Sequence, residues 1–164
     1  MKTLLLLRHA KSSWKDSTLA DHDRPLNGRG RRAAELVRLF LKSRKLRPNL
    51  VLSSSSVRTR ETVEILFQET RSGPEVLYDN ALYLASAAKL VEIISALEED
   101  RDQVLLVGHN PGIEELSFRL TGIAERFPTA TLANIALDIE KWTAAGKTTG
   151  KLEWLVTPKE LETR

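Results

Sequence analysis

The chain contains no cysteine among its 164 residues, so disulfide bonds, iron–sulfur clusters and thiol catalysis are excluded. It also lacks any apolar stretch approaching the roughly 20 residues that span a bilayer. Its N-terminal apolar run is too short for the core of a signal peptide, and no small-residue cleavage site follows it. We therefore expect residues 1–164 to form one domain of a monomeric cytoplasmic protein that starts at Met1, with no membrane partner.

Basic residues exceed acidic residues only slightly, with 25 Lys and Arg against 22 Asp and Glu. Most of the excess lies between Arg24 and Arg47, where apolar residues recur at helical spacing and basic residues occupy the opposite side. We interpret this segment as the solvated face of a helix rather than a nucleic-acid footprint. The sequence therefore predicts no nucleic-acid partner.

Short apolar runs alternate with amphipathic segments along most of the chain. Strands are predicted at "TLLLL", "LVLS", "EVLY" and "QVLLVG", and helices near residues 28–46, 56–70, 86–99 and 111–121. This alternation indicates βαβ units, and so a three-layer α/β/α sandwich around a mostly parallel sheet. Two later runs, "TLANIALDI" and "KLEWLVTP", flank a turn-rich segment and predict a C-terminal pair of antiparallel strands.

Residues 10–27 form a long polar connection between the first strand and its helix. Loops of this length in compact domains are usually functional or disordered, and the apolar residues Trp14 and Leu19 argue against full disorder. His22 in this loop is interpreted as a solvated residue, because no other ligand lies at a useful spacing for a metal. The sequence therefore predicts no metal site.

Three predicted strands end in unusual side chains. Arg8 and His9 follow the first strand directly, His109 follows "VLLVG", and Arg58 follows the serine run after "LVL". Ligands of α/β sheets bind beyond the carboxyl ends of the strands, so these residues meet at one edge if the strands are neighbours. A lone histidine at a strand end is more often a surface residue, but two of the three histidines lie at such ends.

The predicted position of Arg58 is electrostatically unfavourable. Ser55 or Ser56 suits an N-cap, which places Arg58 in the first helical turn, where the helix dipole disfavours a cation. A bound dianion would reverse this penalty, since the helix N-terminus and the arginine would both face negative charge. In "GHNPG", Asn110 suits a second N-cap and Pro111 the first helical position. The sequence therefore predicts two helix N-termini around one anion.

The predicted site has the chemistry of a phosphate pocket. The planar fork of arginine binds phosphate oxygens in a bidentate manner and keeps its charge, and a protonated His109 would add a further donor. A neutral imidazole in such a pocket is a competent nucleophile toward phosphorus. Its second nitrogen must then donate to an acceptor that fixes the tautomer.

At these residues the chain resembles a known family. "LLRHAKS", "SSSSVRTRET" and "VGHNPG", in this order and spacing, are similar to the motifs of the histidine phosphatase superfamily, whose fold is shared with the cofactor-dependent phosphoglycerate mutases. "RHAKSSW", "DHDRPLNGRG" and the short length resemble its phosphohistidine phosphatase branch. The resemblance covers nearly the whole chain. It implies that His9 is the phosphorylated nucleophile, that Arg8 and Arg58 bind the phosphoryl group, and that His109 stabilises charge in the transition state.

The resemblance extends to weaker positions and has two departures. It implies that Arg24 lines the substrate pocket and that Ser12 touches the phosphate. The familiar Arg-His-Gly triplet ends here in Ala10, which the short branch tolerates. The mutase and ester-phosphatase branches place an acidic general acid after the third strand, and here only Asp79 lies near that position. We interpret Asp79 as a turn or capping residue.

We therefore expect a cofactor-independent phosphatase that hydrolyses phosphohistidine on a protein through a covalent intermediate. A short chain with few insertions leaves an open, shallow pocket, which suits a protein side chain better than a buried metabolite. A phosphomonoesterase for a small molecule, built on the same core, is the alternative. From another class, a non-catalytic module that binds phosphate or nucleic acid is a third hypothesis.

Overall fold

In the computed structural model, which describes residues 1–164, six strands form one sheet. The strands are β1 (Lys2–Arg8), β2 (Leu50–Ser54), β3 (Glu75–Asp79), β4 (Gln103–Gly108), β5 (Leu132–Leu137) and β6 (Lys151–Val156). Across the sheet they lie in the order β3-β2-β4-β1-β5-β6, and the first four are parallel to one another. β5 runs antiparallel to both β1 and β6. The predicted mostly parallel sheet and the antiparallel C-terminal pair are confirmed.

Five helices cover the two faces of the sheet. They are α1 (Gly28–Ser43), α2 (Val57–Phe67), α3 (Ala87–Ser95), α4 (Gly112–Thr121) and α5 (Pro158–Glu162). Buried residues of α1, α2 and α5 belong to one hydrophobic cluster, whereas those of α3 and α4 belong to the other. The three-layer α/β/α sandwich is therefore confirmed. No helix is both long enough and apolar enough to cross a membrane.

The leucine run of β1 lies at the centre of both hydrophobic clusters. Leu4 and Leu6 pack into the cluster that contains α3 and α4, while Leu5 and Leu7 pack into the cluster on the opposite face. All four side chains are fully buried. A strand covered by helices on both faces needs apolar residues at every position, which explains why the run does not alternate.

Several helix ends differ from the predicted ends. α1 stops at Ser43 instead of residue 46, because Lys45 adopts a left-handed backbone with φ of 54° that ends the helix. α2 and α3 also end three to four residues early, and α4 begins one residue late. The short helix α5 was not predicted. It begins where the Thr157 hydroxyl accepts the N–H of Glu160, with Pro158 in its first turn.

The loop between β1 and α1 closes on itself at a neck formed by residues 11–13 and 25–27. Ser12 and Leu26 form an antiparallel bridge across the neck. Backbone hydrogen bonds of 2.8 and 3.0 Å flank this bridge on its two sides. The loop is therefore anchored at its base, although it contains only one short 3-10 turn, Asp21–Asp23.

The neck rests directly on the first turn of α1, and Gly30 makes this contact possible. A Cβ at Gly30 would lie 2.0 Å from the carbonyl oxygen of Lys11, so one of the two segments would have to move. We expect Gly30→Ala to lower the free energy of unfolding by about 1–3 kcal/mol, as measured by urea denaturation. Gly28→Ala is the matched control in the same helix, because its Cβ would approach only the side-chain end of Arg32 at 3.4 Å. Equal stability of the two variants would contradict a rigid contact at the neck.

Candidate active site

The sheet order brings the polar strand ends to one edge. β4 lies between β1 and β2 and is parallel to both, so the residues that follow these three strands become neighbours. The imidazole rings of His9 and His109 lie 5.1 Å apart between centroids. Arg58, in the first turn of α2, contacts both rings. The structure therefore brings together His9, Arg58 and His109, with Arg8 immediately before His9.

His9 is held in one tautomer. Its Nδ1 lies 2.7 Å from the carbonyl oxygen of Ala10 and donates to it, which leaves the lone pair on Nε2. The N–H of Ala10 in turn donates to the hydroxyl of Thr62 in α2 at 3.1 Å. Burial is the main cause that lowers the pKa of His9 from 6.5 to about 4, and the nearby arginines add to it. His9 is therefore neutral at pH 7, as a nitrogen nucleophile must be.

Arg58 is the centre of the hydrogen-bond network in the site. Its side chain is 3 % exposed. Nε points to Nε2 of His9 at 3.4 Å, and Nη2 lies 3.3 Å from Nδ1 of His109. A guanidinium can only donate, so both ring nitrogens accept.

His109 is neutral in the free site. Because its Nδ1 accepts from Arg58, its Nε2 carries the proton and donates to the hydroxyl of Ser54 at 2.8 Å. Burial is the main cause that lowers the pKa of His109 from 6.5 to about 3, and the charges of Arg58 and of His9, which is protonated first on acidification, add to it. The protonated His109 allowed for in the sequence analysis is therefore not the state of the ring before an anion binds.

Arg8 keeps one buried donor without a partner. Its Nη1 donates to the carbonyl oxygen of Phe127 at 3.0 Å, which anchors the end of the side chain. Its Nε is buried and makes no hydrogen bond. An unpaired buried N–H is costly, and an incoming oxyanion is the kind of group that would satisfy it.

Asp21 and Tyr83 are site residues that the sequence reasoning missed. The Asp21 carboxylate accepts from Nη2 of Arg58 at 3.0 Å, from Nη2 of Arg24 at 3.0 Å and from the hydroxyl of Tyr83. These three hydrogen bonds, led by that from Tyr83, hold the pKa of Asp21 far below its usual range. The three-residue spacing of Asp21 and Arg24 was an available signal. Nothing in the sequence placed Tyr83 here.

Arg24 and Ser12 lie together in the anchored loop beside the site. Arg24 is 7 % exposed, and its Nη1 donates to the Ser12 hydroxyl at 2.5 Å. Its guanidinium lies 3.5 Å from the ring centroid of Trp14, whose own side chain is mostly exposed. The Ser12 hydroxyl is thus engaged with Arg24.

The predicted N-caps hold only in part. Ser56 does precede α2, but its side chain makes no capping hydrogen bond. Asn110 is not the N-cap of α4, which begins after Pro111. Its amide instead donates to Glu114 at 3.0 Å and to the carbonyl oxygen of Phe127 at 3.1 Å. Its amide oxygen is buried and accepts no hydrogen bond, so it caps no backbone N–H of α4.

His22 is not the solvated residue that the sequence predicted. Its Nε2 lies 2.8 Å from the Ser55 hydroxyl, and its ring packs edge-on against Tyr83 with centroids 4.8 Å apart. It therefore forms part of the wall beside Asp21. No group of three or more His, Asp or Glu side chains in the chain is placed to hold a metal ion.

Comparisons of the sequence and of the structure with known proteins agree on one family. A sequence model described as the histidine phosphatase superfamily (branch 1) matches residues 4–83. An uncharacterised chloroplastic protein of Arabidopsis thaliana is 36 % identical, covering 96 % of this chain and 78 % of that protein. A proposed phosphohistidine phosphatase SixA from Agrobacterium tumefaciens is 29 % identical with a TM-score of 0.83, covering 96 % and 98 % of the chains. The protein histidine phosphatase SixA complexed with tungstate shares the fold with a TM-score of 0.83 at 22 % identity, covering 97 % and 99 %.

The protonation states of the two histidines can be tested by NMR. We expect long-range ¹H–¹⁵N spectra of the free protein to show both rings neutral from pH 7 down to about pH 5, because their pKa values lie near 4 and 3. His9 should carry its proton on Nδ1 and His109 on Nε2. His9→Gln and His109→Gln variants assign the signals. Titration of either ring near pH 6.5 would contradict this description of the site.

Proposed function

The chain belongs to the histidine phosphatase superfamily, in its short SixA-like branch, and is a phosphatase; we propose that it hydrolyses phosphohistidine on proteins through a covalent intermediate on His9. The observation that carries the proposal is the state of His9. Its ring is neutral, with Nδ1 tied to a carbonyl and the Nε2 lone pair directed among arginines. This is the arrangement required of a nucleophile that attacks a phosphoryl group.

The proposed reaction has two displacements at phosphorus. Nε2 of His9 attacks, a new N–P bond forms, and the bond from phosphorus to the leaving imidazole breaks. Water then attacks the phosphorylated His9, phosphate departs, and the ring returns to its neutral state. Arg8 and Arg58 hold the phosphoryl oxygens. A dianion between the two rings reverses the electrostatics that keep His109 neutral, so His109 gains a proton and donates to a phosphoryl oxygen.

Phosphohistidine is proposed as the substrate in preference to alkyl phosphate esters because of the state of two carboxylates near the site. Asp79 accepts the N–H of Ala81 at 2.8 Å and so caps a 3-10 turn, as predicted. Asp21 is ionised, because its hydrogen bonds from Tyr83, Arg24 and Arg58 hold its pKa far below the usual range. Asp79 is thus engaged by a backbone N–H and Asp21 carries no proton, so the proposed reaction uses no general acid. An alkyl alcohol leaves poorly without such an acid, whereas a phosphohistidine ring takes its proton from solvent and departs as neutral imidazole.

The proposed reaction uses no cofactor, because Arg8, Arg58 and the N-terminus of α2 supply positive charge to the phosphoryl group. Arg24 lines the approach to the site, and the Ser12 hydroxyl accepts from Arg24 and keeps its own O–H to donate to the phosphate. A phosphorylated protein as substrate, a cytoplasmic location, a monomeric state and a single domain over residues 1–164 stay predictions from the sequence.

A substrate panel tests the proposed function. Phosphate release is followed with a phosphohistidine peptide, a phosphoserine peptide, a sugar phosphate and an aryl phosphate, all in the presence of EDTA. We expect kcat/KM for phosphohistidine to exceed that for the alkyl esters by about 10²–10⁴-fold, the usual value of a general acid. The aryl phosphate should lie between them. His9→Ala should abolish turnover and retain the thermal unfolding transition of the wild-type protein.

Asp79→Asn is the control for a hidden general acid. It should change the phosphohistidine rate little, since the Asp79 side chain only accepts a backbone N–H. If alkyl esters are hydrolysed faster than phosphohistidine, and if Asp79→Asn abolishes their hydrolysis, the small-molecule phosphomonoesterase is favoured instead. Phosphate binding without turnover of any substrate would favour the non-catalytic module.

A further inference from the structure

In the free site, the carboxylate of Asp21 already occupies hydrogen-bond donors of Arg58 and Arg24. Both outer nitrogens of Arg58 are engaged by Asp21: Nη1 donates to its backbone carbonyl at 2.7 Å, and Nη2 donates to its carboxylate at 3.0 Å. The other oxygen of the same carboxylate accepts from Nε and Nη2 of Arg24 at 3.2 and 3.0 Å. Two nearly buried arginines therefore share one carboxylate before any substrate arrives.

The carboxylate is bound in the way that arginines bind a phosphoryl group. Planar guanidinium forks favour paired oxygens of either anion, and Tyr83 adds a neutral donor to the same oxygen that Arg58 contacts. Asp21 thus uses donors that a substrate would need. Its side chain is 44 % exposed, so it can leave the arginines without opening the core.

A phosphoryl group on His9 would meet this carboxylate at Arg58. The Nε of Arg58 lies 3.4 Å from the nitrogen that accepts phosphorus in the proposed reaction, and its Nη2 is on Asp21. Two anions on one guanidinium repel each other, so one of them must loosen when the other binds. Hydrogen bonding keeps Asp21 ionised, so protonation does not relieve this conflict.

We propose that Asp21 is an internal competitor of the phosphoryl group for Arg58 and Arg24, and that this competition lowers the affinity of the site for phosphate. The inference rests on one part of the proposed function, namely that this pocket binds the phosphoryl group. Its consequence is rapid release of the product. A carboxylate that returns to the arginines displaces phosphate, and ground-state binding that does not assist the chemistry is avoided.

A structural role for Asp21 predicts the opposite sign. If the carboxylate only positioned the two arginines, its loss would disorder them and weaken anion binding. If it competes, its loss frees their donors and strengthens anion binding. The direction of the change in phosphate affinity therefore separates the two roles.

Calorimetric titration with inorganic phosphate tests the proposal. Asp21→Asn keeps the shape and removes the charge, and we expect it to bind phosphate at least about tenfold more tightly than the wild-type protein. Asp23→Asn is the matched control in the same 3-10 turn, because its carboxylate contacts only His22 and its loss should leave the affinity unchanged. Unchanged or weaker binding by Asp21→Asn, or no phosphate binding by either protein, would overturn the proposal.

Tyr83→Phe provides a second test that leaves every charge in place. The variant removes the hydroxyl that holds Asp21 on Arg58 and keeps the ring that packs against His22 and His109. Loss of one such hydrogen bond should raise phosphate affinity by about 2–10-fold. A fall in affinity in a variant that retains its thermal transition would overturn the proposal. Since these titrations need no turnover, an inactive substrate panel would reject the proposed function and leave this inference standing.

Discussion

The buried guanidinium of Arg58 is the interaction on which the arrangement of the site depends. It joins the ends of β1 and β4 through His9 and His109, and it joins the long loop through Asp21. A cation in the first turn of a helix opposes the helix dipole, and burial adds a desolvation cost. The ionised Asp21 offsets part of both. The same positive charge helps to keep the two imidazoles neutral, so one residue connects folding with the protonation state of His9.

Much of this architecture is contained in the order of the residues. The four leucines of β1 indicated a strand buried on both faces, and the structure divides them between the two clusters. The alternation of strands and helices indicated a mostly parallel sheet, in which the polar strand ends meet at one edge if their strands are neighbours. Arg58 was itself informative, because a residue that opposes its local electrostatics is expected at functional sites. Strong periodicity and local conflict are both properties of short segments, which a sequence displays directly.

The parts that could not be predicted depend on where distant segments meet. Tyr83 reaches Asp21 across 62 positions of sequence, and no local pattern marks such a contact. Asn110 had the local features of an N-cap, but Glu114 and the carbonyl of Phe127 compete for its amide in the folded chain. Helix ends shifted for a related reason. Apolar periodicity continues past the residue at which backbone geometry ends a helix, as at Lys45.

The anchored neck of the long loop separates the strand end that carries His9 from the part of the loop that lies beside the site. His9, the proposed nucleophile, lies on one side of the neck at the end of β1, and its position depends on the sheet and, through Ala10, on Thr62. The residues between the two halves of the neck include the exposed Trp14, which stacks on Arg24, and Asp21, which binds Arg58. Because the base is closed by its own backbone pairing, loop residues other than Asp21 and Arg24 can change while the strand end that carries His9 keeps its position. Enzymes of this design can diverge in the molecules they accept without rebuilding the reaction they perform.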